Sequence, residues 1–254
     1  MILDLFKLDG KVALVTGAGQ GLGQGMAIAL AEAGADIASL DRTGCEGTCE
    51  AVRALGRKYH EAVVDLREAS VEDLQKVVDG FVGELGRIDI LVNNAGTIRR
   101  TPAIDFSETD WDDVLQINLK AAFFLAQAVA RVMMSQGGGK IINIASMLSF
   151  QGGITVSSYT AAKSALAGVT RALANEWAKH NINVNAIAPG YMATDNTAPL
   201  RADPKRAPAI LERIPAGRWG TPDDLKGVVV FLASPASDYM HGAIVPVDGG
   251  WLTR

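Results

Sequence analysis

The chain has two cysteines among its 254 residues, Cys45 and Cys49, too few for a disulfide framework. They stand four apart in a segment of helical spacing and read as two helix-surface thiols of a reducing compartment. Histidine is almost as scarce. His60, His180 and His241 are scattered, with no partner at ligand spacing, so no metal is expected. A cationic excess is missing too: 24 Lys+Arg against 28 Asp+Glu leave a formal charge of -4, the wrong balance for a nucleic-acid footprint. No basic amphipathic helix marks a membrane surface. The longest apolar helix candidate, 121–134, is broken by Gln127 and Arg131 and reads as too short to span a bilayer. Asp4, Lys7 and Asp9 interrupt any signal-peptide core. These absences predict a cytoplasmic protein with neither nucleic-acid nor membrane partners.

What remains is a globular composition, 48% hydrophobic and 20% charged, which excludes a disordered chain. Short β-branched runs at 12–15, 36–40, 62–64, 88–92, 141–145, 183–187 and 243–247 alternate with helical patterns near 23–33, 44–55, 70–85, 107–135, 158–179 and 222–233. Several of the runs are apolar at consecutive positions, as strands buried on both faces are. The alternation predicts an α/β fold, a doubly wound parallel sheet of about seven strands with helices on both faces, Rossmann-like. A single domain over 1–254 is expected. Gly137-Gly138-Gly139 reads as a helix-to-strand turn. Eight of the nine prolines fall at or after Pro189. The proline-rich stretch 191–220 breaks the strand–helix rhythm at the edge where open α/β sheets bind ligands, and reads as a lid-like insertion.

The first strand runs into Thr16-Gly17-Ala18-Gly19-Gln20-Gly21-Leu22-Gly23, and a helical pattern starts at once. Glycines there let the backbone turn tightly and approach a pyrophosphate, which the helix N-terminus favours. Asp41, at the end of the second strand, is placed to bind both ribose hydroxyls of NAD and to repel a 2′-phosphate. Asp65 follows the third strand and could reach the adenine. Asn93-Asn94-Ala95-Gly96 leaves the fourth strand on the same edge.

Tyr159 and Lys163 share a helix face at i, i+4 spacing. A free phenol titrates near pH ~10, too high for proton transfer at neutrality, and a neighbouring ammonium lowers it. Ser146 directly follows a strand at the same edge, where its hydroxyl could hold a substrate oxygen. Asn118 lies in a long apolar helical stretch and by itself reads as a tolerated amide.

Taken together, Thr16-Gly17-x3-Gly21-x-Gly23, Asn93-Asn94-Ala95-Gly96, Asn118, Ser146, Tyr159-x3-Lys163 and Pro189-Gly190 resemble the short-chain dehydrogenase/reductase family over essentially the whole chain. The resemblance implies a nicotinamide cofactor and an Asn118–Ser146–Tyr159–Lys163 tetrad. Tyr159 would be the general acid/base, Ser146 would position the reacting oxygen, and Lys163 would also hold the nicotinamide ribose. Asn118 would hold a water linking Lys163 to solvent. Gly17, Gln20, Gly21, Leu22, Gly23, Asp41, Asp65, Leu66, Asn93, Ala95, Gly96, Pro189, Gly190 and Thr194 would line the cofactor site. Asp41, and Gln20 where NADP-preferring relatives often carry a basic residue, favour NAD; Arg42 dissents, since it could pair with a 2′-phosphate. The family also implies subunit contacts through 238–251 and the helices 107–135 and 158–179, hence a homotetramer.

Thr97-Ile98-Arg99-Arg100 sets two guanidinium groups at the expected mouth of the site, and Arg binds carboxylates bidentately. Arg100, or failing that Arg99, is expected to hold a substrate carboxylate. Arg201, Arg206, Arg213 and Arg218 read as solvated or structural. The stretches 143–153, 175–185 and 247–252 are similar to those of family members acting on deoxy sugar acids of uronate and pectin breakdown. That likeness adds Gln151 to Ser146 and Tyr159 as substrate contacts. Gluconate dehydrogenases share much of this pattern and are the enzymatic alternative. A silent NAD-binding regulatory protein is the other class, and the intact tetrad speaks against it.

Overall fold

The computed structural model describes residues 1–254. One sheet of seven parallel strands carries the fold, in the order β3-β2-β1-β4-β5-β6-β7. The strands are Val12–Thr16 (β1), Asp36–Asp41 (β2), Tyr59–Val63 (β3), Ile90–Asn93 (β4), Gly139–Ile144 (β5), Ile182–Pro189 (β6) and Ile244–Val247 (β7). The helices are Gly21–Glu32 (α1), Glu46–Ala54 (α2), Val71–Leu85 (α3), Glu108–Leu115 (α4), Ala122–Ser135 (α5), Ser157–Trp177 (α6), Ala198–Arg201 (α7), Arg206–Arg213 (α8) and Asp223–Ala233 (α9).

Central strands are wholly buried: every residue of β1, β4 and β6 is inside. Alternate side chains feed the two faces. Ala13 and Val15 pack with Met26, Leu30 and Val229 on the α1/α9 side, while Leu14 packs with Leu74, Leu125 and Val129 on the α3/α5 side. Local signals set the helix ends. Ser70 and Asp73 cap the start of α3 reciprocally, and Gly86 closes it at φ 80, the left-handed turn that glycine adopts without strain.

Four differences from the sequence reading have physical causes. The third strand begins at Tyr59 rather than Ala62, because it is an edge strand whose exposed face tolerates His60 and Glu61. Cys45 is not a surface thiol: it precedes α2 and is 2% exposed, packed in the α1-side core. The helix containing 121–134 runs continuously over 28 residues, Glu108–Ser135, long and apolar enough by composition to cross a membrane, but half of its most apolar 18-residue stretch is buried inside the chain. Within it, Gln116–Ala121 form a π-helical turn. The stretch 191–220 is not simply a loop, since it holds α7 and α8.

Trp251, expected at a subunit contact, is 4% exposed within its own chain. It packs with Leu200, Ile210 and Ile214 beneath α7 and α8.

Candidate active site

Order reverses between β1 and β4, and the C-terminal edge there opens into a cleft of about 560 Å³, the switch point where such sheets bind ligands. Its floor is the glycine turn. Gly17 and Gly21 take φ of 66° and 58°. A Cβ on Gly23 would lie 2.0 Å from the Gly17 carbonyl oxygen, and one on Gly17 would lie 2.9 Å from Asn94 Nδ2. Gln20 precedes α1 without a side-chain cap, so the first-turn amides stay available to an anion. The Asn94 amide donates to the carbonyls of Thr16 at 2.9 Å and Gly17 at 3.1 Å. Thr16 Oγ1 accepts from the N–H groups of Asn94 and Ala95. These bonds lock the two cofactor-side loops together.

Asp41 completes that end. Its Oδ2 accepts from Gly19 N at 2.9 Å and its Oδ1 from Arg42 N at 2.7 Å. Arg42 is exposed and also lines the cleft. Asp65, Leu66, Ala95, Gly96, Pro189, Gly190 and Thr194 line it, as do Gln20, Gly21 and Leu22. Gly190 packs directly on Asp248, whose Cα would be 2.6 Å from a Cβ there. A backbone cradle that only glycine fits, an uncapped helix start and a carboxylate at the end of β2 together suit a dinucleotide.

Asn93 behaves differently from the expectation. It lies 4% exposed, and its amide donates to the Ala122 carbonyl and Asn143 Oδ1, both at 3.0 Å. It therefore ties β4 to β5 and α5, and Asn94 faces the cleft in its place.

The chemistry-bearing side chains converge from β5, the π-helical turn and α6. Ser146 lies two residues past β5, 7% exposed, its Oγ accepting from Leu148 N at 3.1 Å. Tyr159 and Lys163 occupy the first two turns of α6. Lys163 is 3% exposed, donates to the Ile144 carbonyl at 2.6 Å and lies 5.6 Å from the Tyr159 ring centroid. Burial pushes its ammonium down to about 8. Burial pushes the Tyr159 phenol up, while the Ser146 hydroxyl and the Arg100 charge pull it back. Asn118 is 1% exposed, with Nδ2 donating to Thr97 O at 2.8 Å and Val114 O at 2.9 Å. Its Oδ1 has no donor in the chain, and a Cβ on Gly96 would stand 2.6 Å from it. Ser149 and Ser164, which the sequence did not single out, bond Lys163 O and Leu148 O and fix α6 against the turn after β5.

The two arginines separate. Arg99 is held by Asp110 at 2.9 Å and Asp113 at 3.3 Å, so its charge is already answered. Arg100 reaches only a neutral oxygen, Asn196 O at 3.3 Å. Gln151, expected on the substrate, instead accepts from Arg213 at 3.4 Å and lies outside the cleft lining. The loop carrying Arg100 is pinned by Thr101 N donating to Thr155 O at 3.0 Å. Thr155 itself takes φ 62, a strained value for a β-branched residue. No pattern in the sequence signals that strain.

A family model described as enoyl-(acyl carrier protein) reductase matches residues 17–252. The chain is 61% identical to 2-dehydro-3-deoxy-D-gluconate 5-dehydrogenase of Escherichia coli strain K12, over 100% of both chains. It is 54% identical to the Bacillus subtilis strain 168 enzyme of the same name, over 99% of this chain and 98% of that one. A solved Agrobacterium tumefaciens structure, assigned as a 2-deoxy-D-gluconate 3-dehydrogenase with bound NADP, superposes with a TM-score of 0.92 at 53% identity, covering 99% and 100% of the two chains. Fold, cleft and these likenesses agree: the chain belongs to the short-chain dehydrogenase/reductase family of oxidoreductases.

Proposed function

We propose that this enzyme interconverts a ketone and a secondary alcohol on a deoxy sugar acid, with 2-dehydro-3-deoxy-D-gluconate or 2-deoxy-D-gluconate as substrate and NAD(H) as cofactor. The observation that carries the substrate class is Arg100. It is a guanidinium without an acidic partner at the mouth of the cleft, close enough to act on Tyr159. A carboxylate held there bidentately fixes the carbon chain and so selects which carbon faces the chemistry.

A nicotinamide bound in the cleft supplies or takes up the hydride. In the reductive direction Tyr159 donates its phenolic proton to the substrate carbonyl oxygen. Ser146 donates a second hydrogen bond to that oxygen, which stabilises negative charge where it develops. The Lys163 ammonium stabilises the phenolate left behind. Asn118 braces the Gly96–Thr97 backbone beside the site. Asp41, a carboxylate at the end of β2, supports NAD because its charge would repel a 2′-phosphate.

The segment 191–220 is proposed as a lid, since Thr194 comes within 3.7 Å of the Cβ position of Gly21 and Asn196 meets Arg100. A cytoplasmic homotetramer serving uronate and pectin breakdown completes the reading. The assembly is supported by an apolar groove of about 370 Å³ between α5 and α6, lined by Phe123, Met134, Val169 and Trp177 among others.

Initial rates followed by nicotinamide absorbance test the proposal, with 2-dehydro-3-deoxy-D-gluconate and D-gluconate each offered against both cofactor forms. Preference for the deoxy acid with NAD(H) is expected. Preference for gluconate moves the enzyme to the gluconate 5-dehydrogenases, and no turnover of either acid overturns the sugar-acid reading.

A further inference from the structure

The segment 191–220 leaves the sheet and closes on itself at its base. Ala193 N donates to Gly220 O at 2.7 Å and Gly220 N to Tyr191 O at 2.9 Å, a short parallel bridge between its two ends. Just past that bridge, Met192, Thr194, Asp195, Asn196 and Thr197 line the cleft. Thr194 N donates to Thr197 Oγ1 at 3.2 Å, which folds the stretch back on itself. No residue of α7 or α8 lines the cleft, so the two helices serve it only through what holds them.

That support is Trp251. Asp248 fixes the turn that carries it, Oδ1 accepting from Gly250 N and Oδ2 from Leu252 N, both at 2.9 Å. Gly249 and Gly250 take φ of 64° and 88°, values that glycine adopts without strain. A Cβ on Gly249 would stand 2.9 Å from Ile214 Cγ2, and one on Gly250 2.9 Å from Pro215 Cγ. The turn therefore presses backbone-close against the end of α8, where Ala216 N donates to Gly249 O at 2.9 Å. The indole set down there gathers the segment. Tyr191, its first residue, meets the ring edge-on at 4.7 Å, and Trp219, its last but one, meets Tyr191 at 5.4 Å. Arg213 Cζ lies 3.9 Å from the indole centroid, a cation–π contact. Leu200 of α7 and Ile210 of α8 belong to the same buried cluster. Trp251 Nε1 is buried and makes no hydrogen bond within the chain, so the ring acts through its apolar area and its aromatic contacts.

We propose that Trp251 is a positioning residue for the lid: it anchors both ends and both helices of 191–220, and through Tyr191 and Met192 keeps Thr194–Thr197 in place along the cleft. This inference rests on the reading of 191–220 as a lid. A lid anchored beforehand has little ordering left to do when cofactor and substrate bind. Without the anchor, apparent affinity falls by the fraction of time the tip is in place. Turnover of the filled cleft, which belongs to Ser146, Tyr159 and Lys163, is spared.

Trp251→Ala is expected to raise the Kd for NADH, read by its fluorescence, and KM for 2-dehydro-3-deoxy-D-gluconate by about ten-fold each, with kcat nearly unchanged. Trypsin should cut the full chain within 201–218 about ten-fold faster, since cleavage follows the population of the open form. Trp251→Phe keeps an aromatic ring, gives up an N–H that bonds nothing, and should restore most of each value. Should Trp251→Ala lack a cooperative thermal transition, Ile210→Ala thins the same cluster from α8 and should move all three readouts in the same direction. Unchanged cleavage in both alanine variants overturns the anchor and leaves the lid reading in place. Faster cleavage with unchanged NADH affinity and KM overturns the positioning role together with the lid reading. A loss confined to kcat overturns it as well. Cleavage and NADH binding are read without turnover, so they decide the matter even in an enzyme that acts on neither sugar acid.

Discussion

Lys163 Nζ lies 5.6 Å from the centroid of the Tyr159 ring, and its one hydrogen bond goes to the Ile144 carbonyl at 2.6 Å. The ammonium is thereby anchored to the end of β5, the strand that also delivers Ser146, so sheet and helix jointly set the distance between charge and phenol.

Burying that ammonium costs stability, with a sign that can be checked. Its pKa falls from 10.5 to about 8 on folding, so between those values the unfolded chain binds more protons and stability rises with pH. Relative to Lys163→Met, the wild type should gain about 2 kcal/mol between pH ~8 and ~10 in denaturant titrations of the cofactor-free protein. A difference that stays flat over that window would mean the ammonium is not held out of water.

Tyr159→Phe should retain cofactor binding and lose about two or more orders of magnitude in turnover, the usual worth of a placed acid/base. The direction of the phenol's shift adds a pH signature. Because burial raises its pKa above 10.0, Tyr159 is protonated at neutrality, the form that reduction needs. Alcohol oxidation should therefore accelerate as pH rises toward the phenol's range, while ketone reduction falls off only on the alkaline side. Parallel profiles in the two directions would take the proton transfer away from Tyr159.

Arg99 and Arg100 are neighbours with opposite expectations. Arg100→Ala should raise KM for sugar acids about ten-fold or more and spare neutral ketones, since the proposed bidentate carboxylate contact would be lost. Arg99→Ala leaves Asp110 and Asp113 without their shared cation. It should lower Tm slightly and leave KM nearly unchanged, as partly exposed pairs contribute little. Equal KM effects for the two variants would refute the division of roles.

Much of this was legible in the sequence, and the misses share a cause. β1 and the glycine turn were readable because consecutive apolar residues and glycines leave few alternatives locally. β3 was misplaced because an edge strand answers to solvent on one face. Which of Asn93 and Asn94 enters the cleft depends on strand pleating, and which arginine stays free depends on Asp110 and Asp113 of α4. Cys45 is buried because it sits under Ser39, Tyr59 and Glu61 of neighbouring strands, with Glu61 accepting from its N–H at 3.2 Å. The two tryptophans that grip Tyr191 come from positions 28 and 60 residues further along. Tertiary partners decide each of these, and no local pattern encodes them.

Cofactor preference turns on another adjacent pair. Asp41 is fixed by two backbone N–H groups, from Gly19 and Arg42, so its carboxylate cannot swing aside to admit a 2′-phosphate without giving up both bonds. Arg42 is exposed at the same edge and can turn toward a phosphate once the carboxylate charge is gone. Asp41→Asn keeps an acceptor for Gly19 N, and removes the charge together with the bond from Arg42 N. If the proposed preference for NAD holds, it should shift the ratio of kcat/KM for NAD over NADP about ten-fold or more toward NADP, because specificity can rest on repulsion of one partner as much as on attraction to the other. Arg42→Ala should shift the ratio the opposite way, toward NAD, and the double variant should fall between the two. If Asp41→Asn lowers kcat/KM for both cofactors equally, the carboxylate serves only to hold the glycine turn. Preference would then have to arise elsewhere along the cleft.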